Sequence, residues 1–371
     1  MKVVTILGTR PEMIKLSLII KKLDKYFKHI IIHTGQNYDQ ELYNIFINNF
    51  NLKYPDYYLN ITGDNPCDKV GKLISGIYKI LSTEKPDALL VLGDTNSGLG
   101  AYAAKRLKIP VFHMEAGNRS YDENLPEEIN RRILDHISDI NMCYSENARR
   151  NLIREGRRSD HTFVIGSPMQ EVIITYKNKI DNSDILNNLN IKKNEFFLLS
   201  LHREENIDNN KTFDMLLLSL DVLCDKYKIP IIFSAHPRTV KKLKQRNIKL
   251  NKLIQMLKPF GYFDYCKLQL SAKCVLSDSG TLAEESAILN FPAVSLRDST
   301  ERQESIDKGT MVIGNLKADM ILNSVKISVD SYKYNNKIIS CDYIDDNVSM
   351  KVIKIIQGYT DIINKVIWNK N

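Results

Sequence analysis

Short apolar runs alternate with amphipathic helical segments along the chain, and this alternation restricts the fold more than any other feature of the sequence. In the first half, the runs VVTILG (3–8), HIIIHTG (29–35) and DALLVLGD (87–94) each precede a segment with helical periodicity. The second half repeats the rhythm from FFLLSL (196–201) onward. Because buried strands joined through helices form parallel sheets, the pattern predicts an α/β protein with doubly wound, Rossmann-like sheets.

Two domains are expected, because 371 residues exceed the size of one ordinary core. Gly166 and Pro168 interrupt the rhythm. We therefore predict an N-terminal domain at 1–168 and a C-terminal domain at 169–355. A helical pattern at about 356–371 predicts a last helix that packs back on the first domain. In this architecture ligands bind at the carboxyl ends of the strands, in the cleft between the domains.

Composition narrows the class of partner and the compartment. The net charge of +8 suits an anionic partner, but the basic residues are dispersed, which favours a small phosphorylated substrate over nucleic acid. The sequence has no run of eighteen apolar residues and no cleavable signal pattern at MKVVTILGTRPE, so we expect no membrane span and a cytoplasmic location. Six cysteines without CxxC or zinc spacing are interpreted as structural thiols in a reducing compartment.

Polar and charged residues follow nearly every predicted strand. A purely structural domain would need only a few small turn residues at these places, so the coincidence indicates a ligand site. The segments are GTRPE (8–12), TGQNYD (34–39), GDTNS (93–97), HMEAGNR (113–119), LHREEN (201–206), AHPRT (235–239), SDSGTLAEE (277–285) and RDSTERQE (297–304).

Two of these segments open helices and are candidates for phosphate binding. Arg10 lies at a helix start with Lys15 one turn further, and Ser279, Gly280 and Thr281 precede a second helix. Free amides at a helix N-terminus bind phosphate oxygens. Ordinary surface charge at a helix start is the alternative for both.

Two histidines with arginine neighbours suggest an anion site in the second domain. His202 precedes Arg203, and His236 lies near Arg238, each pair at a strand end. A single histidine is more often structural, whereas the repeated pairing favours an anion site. The glutamate pair at 284–285 is positioned to accept ribose hydroxyls, or else is ordinary helix N-terminal charge.

A relaxed dinucleotide fingerprint in the first domain is interpreted as structural. Gly98, Gly100 and Ala103 match the spacing, and Glu115 stands near the expected distance for a ribose-binding acid. The fingerprint requires its first glycine at the turn itself, whereas these glycines fall inside the predicted helix. We therefore expect close packing here and no NAD.

Three carboxylates from adjacent elements, Asp94, Glu115 and Glu127, are expected to converge at one end of the first sheet. Converging carboxylates raise at least one pKa and so provide an acid or base near neutral pH. Arg119 and Arg131 would keep the others ionised and contact a phosphate. Glu127 and Arg131, four residues apart, can also simply pair.

The motifs quoted above resemble those of the non-hydrolysing UDP-N-acetylglucosamine 2-epimerases of bacteria and archaea. The resemblance rests on GTRPE, TGQNYD, GDTNS, HMEAG, PEEINRR, HREEN, DSGTLAEE and TER, in that order along the chain. It implies a two-domain fold like glycosyltransferase type B, a homodimer, and reversible inversion at C2 of a UDP-linked 2-acetamido sugar.

The resemblance also implies roles for individual residues. It implies elimination to a 2-acetamidoglycal plus UDP and re-addition, without a metal or other cofactor. The matching catalytic positions are Asp94, Glu115, Glu127, Arg131, His202 and Lys15. The matching or expected substrate and UDP contacts are Arg10, Arg119, His236, Arg238, Tyr265, Ser279, Gly280, Thr281, Glu285 and Arg302.

Several motifs depart from the common family pattern. GLR is replaced by Gly117-Asn118-Arg119, the loop before Pro126 is about two residues shorter, and Thr281 replaces the second glycine of DSGG. These features resemble the subgroup that forms UDP-N-acetyl-L-fucosamine from UDP-2-acetamido-2,6-dideoxy-L-talose for capsule or O-antigen synthesis. UDP-N-acetylglucosamine is the alternative substrate. A glycosyltransferase, a hydrolysing epimerase and a non-catalytic nucleotide-sugar-binding regulator are the alternative functions.

Overall fold

A computed structural model of the chain describes residues 1–36, 40–314, 316–334 and 341–370; residues 40–44, 204, 205, 334 and 341 are described by their secondary structure alone. The chain divides into two compact units. Unit 1 comprises Met1–Ile174 and Asp342–Asn371, and unit 2 comprises Thr175–Cys341. Each unit is built on its own parallel sheet, which confirms the predicted fold class.

Unit 1 contains seven described parallel strands in the order β3-β2-β1-β4-β5-β6-β7. Strands β4 and β5 are buried along their whole length and β1 at every position after Lys2, as expected for a sheet covered on both faces. The strands are β1 Lys2–Leu7, β2 Lys28–His33, β3 Tyr57–Tyr58, β4 Ala88–Leu92, β5 Val111–Met114, β6 Ile140–Cys143 and β7 Thr162–Val164.

Helices with recognisable start signals cover the sheet of unit 1. Thr9 caps the first helix and Pro11 occupies its first turn, where a missing N–H costs nothing. The helices are α1 Arg10–Tyr26, α2 Gln40–Phe50, α3 Pro66–Glu84, α4 Ala101–Arg106, α5 Pro126–Ile137, α6 Glu146–Arg154, α7 Pro168–Thr175 and, far along the chain, α17 Val348–Val366, with 3-10 turns at Asn96–Gly100 and Ser159–His161.

Unit 2 contains six described parallel strands in the order β10-β9-β8-β11-β12-β13. They are β8 Phe197–Leu201, β9 Ile231–Ala235, β10 Ile254–Leu257, β11 Cys274–Ser277, β12 Ala293–Ser295 and β13 Val312–Ile313. The helices are α8 Lys177–Asp181, α9 Ile185–Asn188, α10 Glu204–Ile207, α11 Asn210–Tyr227, α12 Pro237–Gln245, α13 Tyr262–Ser271, α14 Leu282–Leu289, α15 Gln303–Asp307 and α16 Ala318–Tyr334. A core of fully buried Phe, Leu and Ile side chains lies between this sheet and its helices.

The C-terminal segment returns to unit 1. Helix α17 packs against α1, and Glu171 accepts hydrogen bonds from the backbone and hydroxyl of Ser349 at the start of α17. The chain passes from unit 1 to unit 2 between residues 174 and 175, whereas the predicted domain boundary lies at residue 168. It re-enters unit 1 at Asp342, before the predicted start of the last helix at about residue 356.

The glycines of the relaxed fingerprint mark close packing, as the sequence suggests. Gly98 and Gly100 lie in the 3-10 turn, after the loop that follows β4. A Cβ on Gly98 would lie 2.6 Å from Leu134 Cδ1, and one on Gly100 would meet Ile77 and Ile6. The absence of a side chain therefore lets neighbouring helices approach this turn.

The described cysteines are free thiols, with Cys143, Cys224, Cys266 and Cys274 buried and Cys67 exposed. Burial raises the pKa of Cys224 to about 11 and that of Cys274 to about 12, so these thiols are uncharged near neutral pH. Among the described helices, none combines the length and hydrophobicity required for a transmembrane span.

Candidate active site

Two of the predicted carboxylates leave adjacent strands at the carboxyl edge of the unit 1 sheet. The backbone N–H of Gly93, which follows β4, donates to the carbonyl of Met114 at the end of β5 over 3.0 Å. Asp94 directly follows Gly93 and Glu115 directly follows Met114, and both acids are partly exposed. Sheet register therefore places the two acids at neighbouring strand ends.

Glu115 forms an ion pair with Lys15. The Lys15 Nζ lies 2.6 Å from Glu115 Oε2, and the side chains are only 3% and 12% exposed. Glu115 has a left-handed backbone with φ of 63°, which is uncommon for a residue with a long side chain and is frequent at functional sites. The lysine ammonium also lies 5.4 Å from the ring centroid of Tyr144. The pair therefore presents a charged carboxylate at the sheet edge.

Asp94 is held by helix α5. Arg131 donates to Asp94 Oδ2 through Nη2 and, over 3.1 Å, through Nε. Its Nη1 donates to the fully buried Glu128 over 2.9 Å. Asn130 adds a bond from Nδ2 to the backbone carbonyl of Asp94 over 3.0 Å. One turn of α5 thus fixes both the side chain and the backbone of this acid.

Glu12 joins the loop after β1 to the loop after β4. Its Oε2 accepts hydrogen bonds from the amides of Gly8 and Thr9 and from the Thr9 hydroxyl, at 2.9, 2.7 and 2.8 Å. Its Oε1 accepts from the hydroxyl of Thr95 over 2.8 Å. Burial raises the pKa of Glu12 to about 7 despite these donors. Glu12 is therefore a carboxyl group at this edge with a pKa near neutral pH, and sequence reasoning does not single it out.

The other predicted residues of unit 1 lie on elements around this edge. Arg10 is the first residue of α1 and is partly exposed, and Glu127 is partly buried in the first turn of α5. In the predicted polar segment 34–39, Thr34 shares a hydrogen bond of 2.7 Å with Ser97, whereas residues 37–39 lie outside the described residues.

Arg119 is committed to the fold of unit 1. It is 1% exposed; Nη1 donates to Asp135 over 2.6 Å, and Nε and Nη2 bind Glu155 at 2.8 and 2.6 Å. Burial opposes the charge, but hydrogen bonds and charge from Glu155 and Asp135 raise the pKa of Arg119. The buried Asp135 also accepts from the amide of Gly117 and lies 3.0 Å from His113 Nδ1. Arg119 therefore holds its own loop in place, and we do not propose it as a phosphate contact.

In unit 2, a buried acid orients His202. Asp278 is fully buried after β11, and its Oδ1 lies 3.0 Å from His202 Nδ1. It also accepts hydrogen bonds from the amide of Arg203 and from Asn206 Nδ2. Burial would raise the pKa of Asp278, but the charge and hydrogen bond of His202, followed by the other donors, lower it to about 2. The imidazole is 42% exposed, so its ring is oriented while its outer edge reaches solvent.

His236 and Arg238 form a second feature at the carboxyl edge of this sheet. His236 caps helix α12, and its Nδ1 accepts from the Arg238 amide over 3.3 Å. This bond leaves the proton of a neutral imidazole on Nε2. The Arg238 guanidinium donates to the exposed Asp208 over 2.8 Å. The side chain of His236 is therefore hydrogen-bonded to the backbone of Arg238, the other predicted anion contact.

The loop that opens α14 has hydroxyl groups and a close backbone approach. The Oγ of Ser279 lies 3.0 Å from the Oγ1 of Thr281 and accepts from its amide over 3.4 Å. A Cβ on Gly280 would lie 2.6 Å from Glu301 Oε1. The other oxygen of Glu301 accepts from the buried Arg297 over 2.7 Å. This loop therefore has no room for a larger residue at position 280.

The glutamate pair at 284–285 is buried in the first turn of α14 and is not ordinary surface charge. Glu284 lies 3.1 Å from Arg302, which is 1% exposed. Glu285 accepts from Gln269 over 2.7 Å. On the same helix as Gln269, Tyr265 has its pKa raised by burial and by the charge of Glu285. Glu285 and Tyr265 therefore share one electrostatic environment.

Sequence reasoning missed several buried polar residues of these edges. Glu128 and Asp135 lie on the α5 helix that supplies Arg131, Asn130 binds Asp94 directly, and Asp278 orients His202. An available signal was the density of charged residues between 127 and 135, which exceeds the needs of one solvent face. Among the residues that the structure describes, no three His, Cys, Asp or Glu side chains gather as a metal-binding group.

The unit 1 edge combines carboxylates with compensating cations, which suits proton transfer at a carbon atom. The unit 2 edge combines a solvent-facing histidine with hydroxyls and amides at a helix start, which suits a phosphate group.

Comparisons with known proteins identify the family. The model of the UDP-N-acetylglucosamine 2-epimerase family matches residues 21–357. A UDP-N-acetylglucosamine 2-epimerase of Methanocaldococcus jannaschii is 41% identical over 341 residues, which cover 89% of this chain and 93% of that protein.

Solved structures agree in both sequence and fold. The structure of UDP-N-acetylglucosamine 2-epimerase from Rickettsia bellii has a TM-score of 0.93 and 44% identity, with 100% of both chains covered. The crystal structure of the Methanocaldococcus jannaschii enzyme in complex with UDP-GlcNAc and UDP has a TM-score of 0.90 and 36% identity, covering 96% of this chain and 99% of that one. The chain therefore belongs to the UDP-N-acetylglucosamine 2-epimerase family and is an enzyme of the isomerase class.

Proposed function

We propose that the protein catalyses reversible, non-hydrolysing epimerisation at C2 of a UDP-linked 2-acetamido sugar. The observation that carries the proposal is the pair of acids at the unit 1 edge, each with its own cation: Glu115 with Lys15, and Asp94 with Arg131. A protein that only binds a nucleotide sugar has no need of two charge-compensated carboxylates on adjacent strands. Membership of the epimerase family supports the same reaction.

The chemistry explains why carboxylates and cations occur together. A sugar C2–H has no adjacent carbonyl and is barely acidic, so its removal is coupled to departure of UDP from C1. One carboxylate takes the C2 proton while the C1–O bond breaks, and the electron pair forms the C1=C2 bond of a 2-acetamidoglycal. Re-addition of UDP with protonation on the other face gives the epimer. We assign these proton transfers to Asp94, Glu115 and Glu127.

The cations would stabilise the charge that develops on the leaving diphosphate. We assign this role to Arg10, Arg131 and His202, because electrostatic stabilisation of a leaving group requires positive charge that is already oriented. The ring of His202 is already oriented, since the buried Asp278 fixes it. The proposed reaction uses no metal or other cofactor.

The nucleotide itself is assigned to unit 2. Ser279, Gly280 and Thr281 supply hydroxyls and a close backbone approach for phosphate oxygens. We also propose that Glu285 binds the ribose and that Tyr265 lies against the uracil. The phosphates would be bound in addition by His236, Arg238 and Arg302. The proposal requires the carboxylates of unit 1 and these groups of unit 2 to act on one substrate molecule, with water excluded from the glycal.

For the native sugar we propose UDP-2-acetamido-2,6-dideoxy-L-talose, with UDP-N-acetyl-L-fucosamine as product. The support is the Gly117-Asn118-Arg119 sequence, the short loop before Pro126 and the Thr281 substitution, which distinguish this chain from the common family pattern. UDP-N-acetylglucosamine is the second candidate, because the relatives described above bear the name of that activity.

One experiment separates these functions. The purified protein is incubated with each UDP-sugar in D2O, and the anomeric NMR signals are followed. Epimerisation with deuterium at C2 of the product supports the proposal, and the faster of the two sugars identifies the native class. Product without deuterium at C2 contradicts the elimination mechanism. Free sugar plus UDP indicates a hydrolysing enzyme, dependence on an acceptor indicates a glycosyltransferase, and binding without turnover indicates a regulator.

We further propose that the enzyme is a cytoplasmic homodimer that supplies capsule or O-antigen synthesis. These assignments rest on the sequence resemblance described above. Light scattering during size-exclusion chromatography tests the dimer, and a monomer at micromolar concentration would contradict it. Loss of the surface polysaccharide after deletion of the coding sequence tests the pathway.

A further inference from the structure

A cavity of unit 1 lies at the amino-terminal edge of the sheet, away from the carboxylates. Its volume is about 670 Å³, within the range of pockets that hold small organic molecules. The walls come from the end of α4, the turn between α5 and β6, the segment before β7 and the C-terminal residues that follow α17. Because parallel strands all start at this edge, the cavity is separated from Asp94 and Glu115 by the length of the strands.

The cavity has an excess of positive charge. Two of its cations are neutralised, Lys105 by Asp139 and Arg158 by Asp160. Arg106 and Lys108 have no carboxylate within ion-pair distance in the described part of the chain, although both line the cavity. These two charges remain available to a ligand.

Arg157 is a further cation of the cavity, and the protein backbone holds it in place. Arg157 Nη1 and Nη2 donate to the carbonyls of His136 and Ser138 over 3.2 and 2.9 Å, so this charge is fixed without being neutralised by an acid. Ser138 is 2% exposed, and its hydroxyl hydrogen-bonds to no atom of the described residues. A guanidinium that is already held in place is a typical partner for a phosphate oxygen.

The floor of the cavity is apolar and aromatic. Trp368 lies against it, together with Ile137 and Ile367. The ammonium of Lys105 sits 4.4 Å from the centroid of the indole ring, which fixes one face of the tryptophan. An aromatic floor with a cationic rim matches a molecule that has both a flat apolar part and an anionic group.

We propose that this cavity is a binding site for a small soluble anion with one or more phosphate groups and a planar portion, such as a nucleoside phosphate. Arg106, Lys108 and Arg157 would bind the phosphate oxygens, and Trp368 would stack on the planar portion. A concave site of this volume favours a small molecule over the flat surface of a phospholipid bilayer. The site is independent of the proposed epimerase chemistry.

Trp368 is the one tryptophan of the sequence and therefore reports directly on this cavity. The full-length protein is titrated with ADP and, separately, with inorganic pyrophosphate, and tryptophan emission is recorded. We expect a saturable change with ADP that weakens at high salt, and weaker binding of pyrophosphate, which has no planar portion.

The variant Lys108→Asn removes one charge, and Lys85→Asn is its matched control. Both lysines have a left-handed backbone, φ of 54° and 47°, which asparagine tolerates, but Lys85 is not part of the cavity. We expect Lys108→Asn and Arg106→Gln to weaken ADP binding about ten-fold each. Lys85→Asn should bind normally, and all three variants should keep the epimerase activity of the unmodified protein.

Three results would overturn the proposal. The first is no saturable emission change and no heat of binding in calorimetry with either probe. The second is equal loss of binding in Lys85→Asn and Lys108→Asn, which would indicate a diffuse charge effect. The third is an emission change only with phosphatidylglycerol vesicles and not with soluble anions, which would assign the cavity to a membrane surface.

Discussion

Lys15 and Glu115 are one hundred positions apart in the sequence, yet their side chains form an ion pair of 2.6 Å. The lysine comes from the helix after β1 and the acid directly follows β5. In a site where both side chains are nearly buried, the ammonium favours the ionised carboxylate. The pair therefore keeps Glu115 available as a base while its left-handed backbone fixes the direction of the side chain.

Removing the charge of either proposed acid should stop turnover without abolishing nucleotide binding. We expect Glu115→Gln and Asp94→Asn each to lower kcat by about 10²–10⁴-fold, the usual contribution of a general acid or base. NMR turnover assays and calorimetry with UDP measure the two effects. Glu123→Gln, which removes an exposed loop acid that pairs with Arg132, is the control and should be nearly normal. Near-normal turnover in both acid variants would refute their roles.

Arg131 should not be replaceable by lysine. Its guanidinium binds Asp94 and Glu128 at once, and a lysine ammonium cannot span both in that geometry. We expect Arg131→Lys to lower kcat/KM by about ten- to a hundred-fold. Arg132, the next residue, is partly exposed, and Arg132→Lys should change kcat/KM by less than about two-fold. Equal effects of the two changes would show that Arg131 acts only through its charge.

Glu12 should make stability depend on pH. Its pKa is about 7 in the folded protein against an ordinary value of 4.5, so folding takes up a proton between these values. The favourable contribution is complete below pH 4.5 and is lost as pH rises through 7, a difference on the order of 3 kcal/mol. Glu12→Gln is therefore expected to flatten the unfolding free energy between pH 5 and about 8. Urea titrations at several pH values measure this, and an unchanged slope would contradict it.

Asp278 should act through His202. Asp278→Asn removes the charge that lies 3.0 Å from the imidazole Nδ1 while keeping the size of the side chain. We expect kcat to fall about ten- to a hundred-fold, because the imidazole loses the charged partner that orients it. NMR turnover assays measure this, and an unchanged kcat together with a lower melting temperature would show that Asp278 has only a structural role.

Gly280 should not tolerate a methyl group. Because a Cβ there would lie 2.6 Å from Glu301, which is itself held by Arg297, Gly280→Ala should lower the unfolding free energy by about 1–3 kcal/mol and weaken UDP binding. Gly358→Ala on helix α17 is the matched control, since no atom lies within 4 Å of the place that its Cβ would occupy. That control should stabilise the protein by up to about 1 kcal/mol. A lower melting temperature of Gly280→Ala together with a higher one of Gly358→Ala would support this description of the loop.

The sequence predicts the fold class and the family because both depend on local patterns. Apolar runs such as 87–94 are recognisable as buried strands, and the polar residues after them are recognisable as site candidates. Strands β4 and β5 are neighbours in the sheet, so Asp94 and Glu115 follow adjacent strands. These parts of the site follow from strand order alone.

The buried supports could not be predicted in the same way, because their partners are distant in sequence. Arg119 looks like a phosphate ligand until its neighbours Asp135 and Glu155 are known, and those contacts depend on how α5 and α6 pack. Glu12 looks like a helix-start charge, although its raised pKa depends on complete burial beside Thr95. Three-dimensional packing decides these roles.

The division of unit 1 between two stretches of chain has a consequence for its synthesis. Residues 1–174 leave the ribosome first, but α17, which packs on α1, emerges only after the whole of unit 2. The continuous segment 175–341 is therefore able to fold during translation, whereas unit 1 gains α17 only at the end of synthesis. Nascent chains that stop at residue 341 contain all of that continuous segment but lack the helix that packs on α1.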